Sequence, residues 1–406
     1  MANVSSSNGL EKRPKLRFPG FDEPWEENEL SHYLVENTER NRGLAFGKED
    51  VLSVSGEYGV INQIAFQGRS FAGESVADYH VVETDDIVYT KSPLKANPYG
   101  IIKANKGIPG IVSTLYAVYH PLNTVAPRFV DLYFANDLRL NKFLKPLVNI
   151  GAKHDMKVNN SFVLTETVVF PSIGEQQKLV DFFAKLDRRI EAQRKIVAAL
   201  KKYKRGLVND IFSQRIVPYG ERDEWTILPF REVVTINPKT GPLPDEFIYL
   251  DLECVNSGKV CAVNIIKREN APSRAQRLLE KNDVLYQMVR PYQQNNYYYD
   301  NTFSSPVVAS TGYAQIKCGA CDPLFVYEQI SSERFAKEAM LRSTGTSYPA
   351  INADDLGEIP FFLPSMHIQK KIGAILSLVN QKIFKSEEEL QLLKSTKSSL
   401  LQQLFI

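Results

Sequence analysis

The sequence predicts an α+β protein made of two tandem copies of one unit, each a globular α+β block followed by a long helix. Three observations support this prediction. A segment of 42 residues occurs twice, its apolar residues recur at the spacing of a coiled coil, and the blocks that precede the two segments share short motifs. An internal repeat of this size defines the architecture before any single element is assigned.

The repeated segments are Pro171–Phe212 and Pro364–Phe405, which align without a gap at a separation of 193 positions. Ten of the 42 aligned pairs are identical. Chance pairing at ordinary composition would give about two or three. The two segments are therefore copies of one element.

Each segment carries an apolar seam with a period of 3.5 residues. In steps of four and three from Leu179 in the first copy and Ile372 in the second, eight of ten positions are apolar in each. The polar exceptions fall at matching places, Gln193/Ser386 and Lys204/Lys397. This period is that of a coiled coil, and forty helical residues span about 60 Å. We expect the two helices to pack on each other.

The blocks before the helices also correspond. The only two tryptophans, Trp25 and Trp225, stand near the two block starts, and Asp86–Tyr89 matches Asp283–Tyr286 at an offset of 197. Short β-branched and aromatic runs separated by turn residues predict strands at 86–90, 111–119 and 305–317, and helical patterns occur near 130–148 and 324–342. An α+β block with an irregular sheet is predicted.

Composition excludes several classes of protein. The chain has 406 residues, 43% of them hydrophobic and 24% charged, which is the ordinary balance of a globular protein. Its formal net charge is +2, so the chain as a whole is not a polycation that would bind nucleic acid by charge alone. No signal peptide and no run of 18 apolar residues is found. Four cysteines cannot form a disulfide scaffold. We expect a soluble cytoplasmic protein.

Signals of an enzyme are weak. Asn97–Gly100 is similar to the Asn/Asp-Pro-Pro-Tyr loop of amino-methyltransferases but lacks the second proline, so a surface turn is the preferred interpretation. The spacing of Cys254, Cys261, Cys318 and Cys321 favours ordinary thiols over a zinc site. The five histidines are scattered, and no nucleophilic site can be assembled from spacing. We predict no catalytic residues, no metal site and no cofactor.

Two stretches favour nucleic-acid binding. Residues 290–299 combine a guanidinium, amides and tyrosines, which suits the reading of base edges, and the matching first-block stretch 91–97 is basic. A solvated polar loop or an edge strand remains the alternative for 290–299. Residues 175–215 carry 11 Lys/Arg against 5 Asp/Glu, which is compatible with a solvated helix face or with a surface near phosphates.

The repeated plan of block, proline, glutamine and long helix resembles the specificity subunit of type I restriction–modification systems. Residues 171–178 with 186–190 are similar to the start of that family's central helix, and 204–207 with 211–212 to its end. The opening 14–21 is similar to the N-terminus of many members. The second copy departs from the first at Ile368 and Asn380, where the first has Glu175 and Asp187.

The resemblance implies an architecture and a set of partners. Residues 1–20 would be an N-terminal tail, 21–170 and 216–363 two target recognition domains, and 171–215 and 364–406 long helices that pair as an antiparallel coiled coil with pseudo-two-fold symmetry. Each domain would read one half of a bipartite double-stranded DNA target, and the helices would set the gap. The chain itself would be non-catalytic. Two modification (adenine methyltransferase) subunits and two restriction (ATP-dependent translocase/nuclease) subunits would use S-adenosylmethionine, ATP and Mg. No membrane would be involved.

Candidate site residues follow from composition and repeat position. The DNA-binding candidates are Lys91, Lys95, Asn97, Lys103 and Lys153 in the first domain, and Arg290, Tyr292, Gln293, Gln294, Asn295, Ser347 and Tyr348 in the second. The partner-binding candidates are Gln176, Gln177, Gln369 and Lys370, taken as exposed residues at the helix starts. Two other functions stay open, a coiled-coil scaffold with protein-binding blocks and a self-sufficient methyltransferase. Salt-sensitive, sequence-specific duplex binding would exclude the scaffold.

Overall fold

The computed structural model describes residues 12–150, 156–216 and 224–406. The chain divides into two units, the first made of Met1–Ala192 and Leu390–Ile406 and the second of Gln193–Glu389. Each unit therefore combines one globular block with a part of each long helix. Among the described residues, none of the helices has the length and apolar character needed to cross a membrane.

The helices are short within the blocks and long outside them. Their bounds are α1 Gln63–Gln67, α2 Pro127–Tyr133, α3 Asp137–Leu144, α4 Asn160–Val163, α5 Ile173–Phe212, α6 Phe230–Val233, α7 Pro323–Ile330, α8 Glu333–Arg342, α9 Ala353–Gly357 and α10 Met366–Gln403. The predicted long helices are thus confirmed as α5 and α10. The predicted helical stretch near 130–148 overlaps α2 and includes α3, and the stretch near 324–342 overlaps α7 and includes α8.

In the first unit a four-stranded antiparallel sheet has the order β2-β9-β6-β7, and β1 pairs with β12, β3 with β4, β5 with β8 and β10 with β11. The strands are β1 Glu26–Glu29, β2 Leu34–Asn37, β3 Leu52–Ser55, β4 Gly59–Asn62, β5 His80–Val82, β6 Ile87–Thr90, β7 Ile102–Ala104, β8 Gly110–Val112, β9 Tyr116–Pro121, β10 Asn149–Ile150, β11 Met156–Lys157 and β12 Thr167–Phe170. All four residues of β6 are buried, so the strand packs on both of its faces.

In the second unit the matching antiparallel sheet is β14-β23-β20-β21, and a second sheet, β18-β15-β22-β19, has β15 parallel to β22. Its strands are β13 Thr226–Pro229, β14 Thr235–Ile236, β15 Glu246–Leu250, β16 Val255–Asn256, β17 Lys259–Val260, β18 Asn264–Lys267, β19 Ala275–Leu278, β20 Val284–Gln287, β21 Tyr297–Tyr298, β22 Val307–Ser310, β23 Tyr313–Lys317 and β24 Pro360–Leu363. The repeated Asp-Ile/Val motifs thus lead into β6 and β20, which occupy the same place in matching sheets.

A two-stranded antiparallel pair leads into each long helix. In the first unit β1 pairs with β12, which ends one residue before Pro171, and in the second β13 pairs with β24, which ends one residue before Pro364. Proline suits this position because it interrupts a strand and fits the start of a helix. The predicted repeat is therefore a repeat of structure as well as of sequence.

The two long helices run antiparallel within each unit. In the first unit Asp187 of α5 accepts a hydrogen bond from Lys397 of α10, and in the second Gln193 Nε2 donates to the Ser386 carbonyl at 3.0 Å. Within the first unit Phe183, which precedes Asp187, lies with its ring centroid 6.1 Å from that of Phe405, which follows Lys397. Within the second unit Val208, which follows Gln193, belongs to one core cluster with Leu376, which precedes Ser386. The direction is therefore antiparallel in each unit. The seam positions Phe183, Ile190 and Ile383 are buried. The period of 3.5 read from the sequence is thus the packing seam of the helices.

A phenylalanine at the end of a long helix closes the core of each unit. In the first unit Phe405 lies with its ring centroid 6.1 Å from Trp25 and 5.6 Å from Phe129. In the second, Phe212 lies 6.3 Å from Trp225 and 5.8 Å from Phe325. The tryptophan at the start of each block therefore marks where a helix end docks.

Candidate nucleic-acid interface

An open cleft of about 600 Å³ in the second unit brings together several of the predicted DNA-binding residues. We call it the amide cleft. The residues that line it come from three segments, the hairpin β16–β17 with its approach, the loop that follows β20, and the turn near residue 348: Leu252, Glu253, Val255, Asn256, Ser257, Cys261, Gln287, Val289, Arg290, Gln293, Asn295 and Tyr348.

The loop between β20 and β21 is held in one conformation by its backbone. Arg290 and Gln294 have φ of 55° and 52°, the left-handed region, at either end of a short 3-10 turn that begins with Pro291. The Arg290 N–H donates to the Pro349 carbonyl at 2.7 Å. Such φ values are uncommon outside glycine, so the surrounding contacts must enforce them. These backbone contacts define the shape of the loop.

Gln287, the last residue of β20, holds this loop through hydrogen bonds of its side-chain amide. It is 1% exposed, and its Nε2 donates to the Val289 carbonyl and to Gln293 Oε1, each at 2.8 Å. Its Oε1 accepts from the Asn295 N–H at 3.0 Å. Since both backbone partners have a defined polarity, the orientation of this amide is fixed without ambiguity.

Two amides on the cleft wall are oriented in the same way. Gln293 turns its oxygen towards Gln287, and Asn295 Oδ1 accepts from the backbone N–H of Ser257 at 3.2 Å. In both side chains the oxygen faces the protein, so the NH₂ group is the end left for a ligand. Asn256 has its Oδ1 occupied by the Ser257 hydroxyl at 2.9 Å.

Arg290 and Tyr348 also line the cleft. The guanidinium carbon of Arg290 lies 4.4 Å from the centroid of the Tyr348 ring. Stacking on an aromatic face orients the plane of a guanidinium while leaving its N–H edge available. Tyr348 is 65% exposed, so the stacked pair faces solvent.

The remaining candidates of the second unit do not line the amide cleft. Tyr292 and Ser347 are exposed near it. Gln294 lines a different cavity of about 320 Å³, beside Lys201 and Phe384. The cations of that cavity are paired with carboxylates: Lys201 with Glu387, Lys204 with Glu328 and Arg205 with Glu333. That cavity therefore offers no excess positive charge.

The residues that sequence reasoning missed come from the hairpin. Asn256 and Ser257 line the cleft. Glu253 also lines it and is the lining residue with a carboxylate side chain. Ser257 and Gly258 have φ of 50° and 79°, which is the geometry of a two-residue hairpin turn. The Asn-Ser-Gly-Lys sequence between Val255 and Val260 was the available signal for this hairpin.

In the first unit the candidates are less accessible than predicted. Lys91 donates to Asn160 Oδ1 at 3.0 Å, and burial lowers the pKa of its ammonium group. Lys103 lies 3.7 Å from the Asp131 carboxylate. Lys95 is exposed. Lys153 lies outside the described residues.

Asn97 is not the exposed base-reading side chain that the sequence predicts. It is buried, its Nδ2 donates to Asp137 Oδ1 at 2.9 Å, and its carbonyl accepts from the Leu94 and Gly100 N–H groups. The loop folds around this side chain and ties it to the start of α3. The backbone carbonyl of Asn97 thus stabilises the turn, while its side chain bonds to the carboxylate at the start of α3.

The predicted exposure of Gln176 and Gln369 is wrong. Both are buried, at 1% and 3% exposure. Gln176 donates to the Pro171 carbonyl and accepts from the Ala126 N–H at the start of α2. Gln369 donates to the Pro364 carbonyl and accepts from the Asp322 N–H at the start of α7. These glutamines join each long helix to its block.

The neighbours Gln177 and Lys370 are exposed, and their assignment as partner contacts stays a prediction. The four cysteines are free thiols, with Cys254, Cys318 and Cys321 buried and Cys261 exposed. Burial raises the pKa of the Cys318 thiol to about 12, so this thiol is protonated and a poor nucleophile at neutral pH.

Comparison with known proteins identifies the fold. The chain is similar to the type I restriction enzyme MjaVIII specificity subunit of Methanocaldococcus jannaschii, with 24% identity over 315 residues that cover 72% of each protein. The solved S subunit of a type I restriction–modification system from M. genitalium matches with a TM-score of 0.60 at 15% identity, over 97% of this chain and 99% of that one. The chain has the fold of a type I specificity subunit.

A second solved chain supports the same conclusion. It comes from a study of complex assembly and conformational transition of the type I R-M system, and matches with a TM-score of 0.53 at 16% identity, over 95% of this chain and 98% of that one. No family model matches the sequence. The resemblance that the repeated helix indicates is confirmed, as is the α+β architecture with two long helices.

Proposed function

We propose that this chain is the DNA specificity subunit of a cytoplasmic type I restriction–modification complex and reads a bipartite target, one half-site per globular block. The observation that carries this proposal is the duplication. Two blocks of matching sheet order, each closed by a helix-end phenylalanine on a tryptophan, stand in one chain with two antiparallel helices. Two related readers on one frame suit a target with two separate halves.

The side chains of the amide cleft support DNA as the ligand. Guanidinium and amide groups are those that hydrogen-bond base edges, and contacts to phosphates fix register without reading sequence. Here the groups are mounted on a loop with a fixed backbone and a buried organising amide, Gln287. Recognition improves when the contacting groups are oriented before binding.

The helices supply a spacer of defined length. The helical ranges Ile173–Phe212 and Met366–Gln403 contain 40 and 38 residues, which at 1.5 Å per residue is about 60 Å. A rigid paired helix would set the number of unspecified base pairs between the two half-sites.

The chemistry would belong to the partners. Two modification subunits would carry S-adenosylmethionine and methylate adenine, and two restriction subunits would use ATP and Mg. Methylation of a base within a duplex requires the base to be flipped out of the stack, so the DNA must be held in register meanwhile. Gln177 and Lys370, exposed near the two helix starts, are candidates for contacts to these partners.

Co-expression with the methyltransferase subunit of the same system in a methylation-free host tests the proposal. Long-read sequencing should reveal N6-methyladenine in a motif of two short defined halves around a fixed gap. Exchange of residues 21–170 for the equivalent block of a relative should change one half only.

Three outcomes would contradict the proposal at different points. An assembled complex without methylation would favour a protein scaffold. A short continuous motif would contradict the two-reader arrangement, and so would a change of both halves on exchange of one block.

A further inference from the structure

Three side chains of the amide cleft offer hydrogen-bond donors to a ligand. Gln293 and Asn295 present NH₂ groups, because their oxygens are engaged by Gln287 Nε2 and by the Ser257 N–H. Arg290 adds a guanidinium, which can only donate. A ligand that fits this wall must present acceptors.

The four base pairs differ in what they show to such a wall. In the major groove guanine presents two adjacent acceptors, O6 and N7, whereas adenine presents one acceptor and one donor, and cytosine presents a donor. A bidentate contact to adenine needs an amide that offers its oxygen and its NH₂ together. Gln293 and Asn295 have their oxygens turned to the protein, so that contact is disfavoured here.

The carboxylate on the cleft wall fits the same base pair. Glu253 is the acidic side chain among the residues that line the cleft. Cytosine N4 is the donor that a carboxylate accepts in the major groove. A G·C pair presents both features side by side, two acceptors on guanine and one donor on cytosine.

We propose that the amide cleft reads a G·C pair in the half-site of the second block, with Arg290 and Gln293 donating to guanine O6 and N7. Gln287 acts as a positioning residue, because it fixes which end of Gln293 faces the DNA. This inference rests on the proposed function and goes beyond it by naming the base. A phosphate also presents acceptors, so the experiment must separate a base edge from the DNA backbone.

The first test replaces the donor by an acceptor of the same shape. In the complete complex, Gln293→Glu exchanges the outward NH₂ for a carboxylate oxygen, and Gln276→Glu makes the same charge change on an exposed residue of β19 that does not line the cleft. Mapping of N6-methyladenine should show a guanine in the second half-site that Gln293→Glu no longer requires and that Gln276→Glu still requires. Equal effects of the two variants would overturn the inference.

The second test uses the unaltered complex, so it does not depend on a variant. The half-site of the second block is the one that survives exchange of residues 21–170. Replacing its guanine by 7-deazaguanine removes only N7, and should weaken binding of the duplex about 5- to 100-fold. A methylphosphonate at the same nucleotide neutralises the phosphate and should have the smaller effect.

The outcomes separate the inference from the proposed function. Absence of any sequence-specific methylation would contradict the proposed function itself. A bipartite motif whose second half contains no guanine, or is insensitive to 7-deazaguanine, would overturn the inference and leave the function standing. A larger loss with methylphosphonate than with 7-deazaguanine would mean that the cleft holds a phosphate, which also overturns it.

Discussion

Lys397 pairs with Asp187 across the two helices of the first unit, with Nζ 2.5 Å from Oδ1. At the matching repeat positions of the second unit stand Lys204 and Asn380, and the carboxylate is supplied by Glu328 of α7. Lys204 Nζ lies 3.0 Å from Glu328 Oε2, and Asn380 donates to its Oε1. Both copies therefore have a lysine at this place in the seam. Its carboxylate partner lies on a long helix in the first unit and on α7 of the globular block in the second.

Because the two carboxylates differ in burial, replacing the lysine should lower the free energy of unfolding by different amounts in the two units. The Glu328 side chain is 2% exposed and the Asp187 side chain 44% exposed. Lys204→Met would leave a buried carboxylate without its cation, and should lower the free energy of unfolding by about 3–5 kcal/mol. Lys397→Met should cost less than about 1 kcal/mol, because water solvates Asp187. Urea denaturation with hydrogen exchange on peptides of each unit measures both.

A compensating variant separates charge from packing. Leu132 occupies in α2 the position that Glu328 occupies in α7, since each is the sixth residue of a helix that begins with proline. Lys204→Met/Glu328→Leu should therefore recover most of the lost stability. Equal losses for Lys204→Met and Lys397→Met would show that burial of the partner does not control the effect.

The glutamines at the helix starts should act on stability. Gln176→Ala removes the acceptor of the Ala126 N–H and the donor to the Pro171 carbonyl, and should cost about 2 kcal/mol. Gln369→Ala should behave alike in the second unit. Gln177→Ala, on an exposed neighbour, should change stability by less than about 0.5 kcal/mol. If Gln176→Ala left stability unchanged and abolished partner binding, the original assignment as a contact residue would be right.

The helices could be predicted from sequence because their seam is local and periodic. The burial of Gln176 and Gln369 could not, since it depends on a block folding back over the start of its own helix. The two departures of the second copy have physical reasons of the same kind. Glu175 accepts two hydrogen bonds from Arg17, whereas its counterpart Ile368 is buried among apolar residues.

Only those residues of the candidate site that are close in sequence could be predicted together. Arg290, Gln293 and Asn295 were found together because they are neighbours in the chain. Asn256 and Ser257 were missed because they reach the cleft from a hairpin some thirty residues earlier. Composition also misjudged Asn97, which is buried with its Nδ2 bonded to Asp137. Side-chain type indicates what a residue can bind, but only the fold decides which of its atoms face outwards.

Each helix-end phenylalanine should stabilise the unit in which it docks. Phe405→Ala removes a ring that contacts Trp25 and Phe129, and should cost about 3–5 kcal/mol in the first unit. Phe212→Ala should have the same effect on the second. Leu392→Ala, at a position 65% exposed, is the control and should be nearly neutral. Hydrogen exchange should assign each loss to its unit, and a loss spread equally over both would contradict this local docking.

His80 should make the first unit sensitive to acid. It is 2% exposed, and burial, with the nearby charges of Arg40 and Lys91, lowers the pKa of its imidazole from 6.5 to about 4. In the unfolded chain the imidazole of His80 takes up a proton near pH 6.5, whereas in the folded chain it does so only near pH 4. The contribution of His80 is therefore fully present above pH 6.5 and is lost as the pH falls towards 4, by about 1.4 kcal/mol per unit and up to about 3 kcal/mol.

Replacement of the imidazole tests this origin of the pH dependence. Within the described residues, the buried Nδ1 of His80 has no hydrogen-bond partner, so a proton there would gain no acceptor. His80→Gln should flatten the dependence of unfolding free energy on pH between 6.5 and 4, measured by urea denaturation at several pH values. His32→Gln, on an exposed histidine, should leave the slope as it is. A slope that persists in His80→Gln would assign the acid sensitivity to other groups.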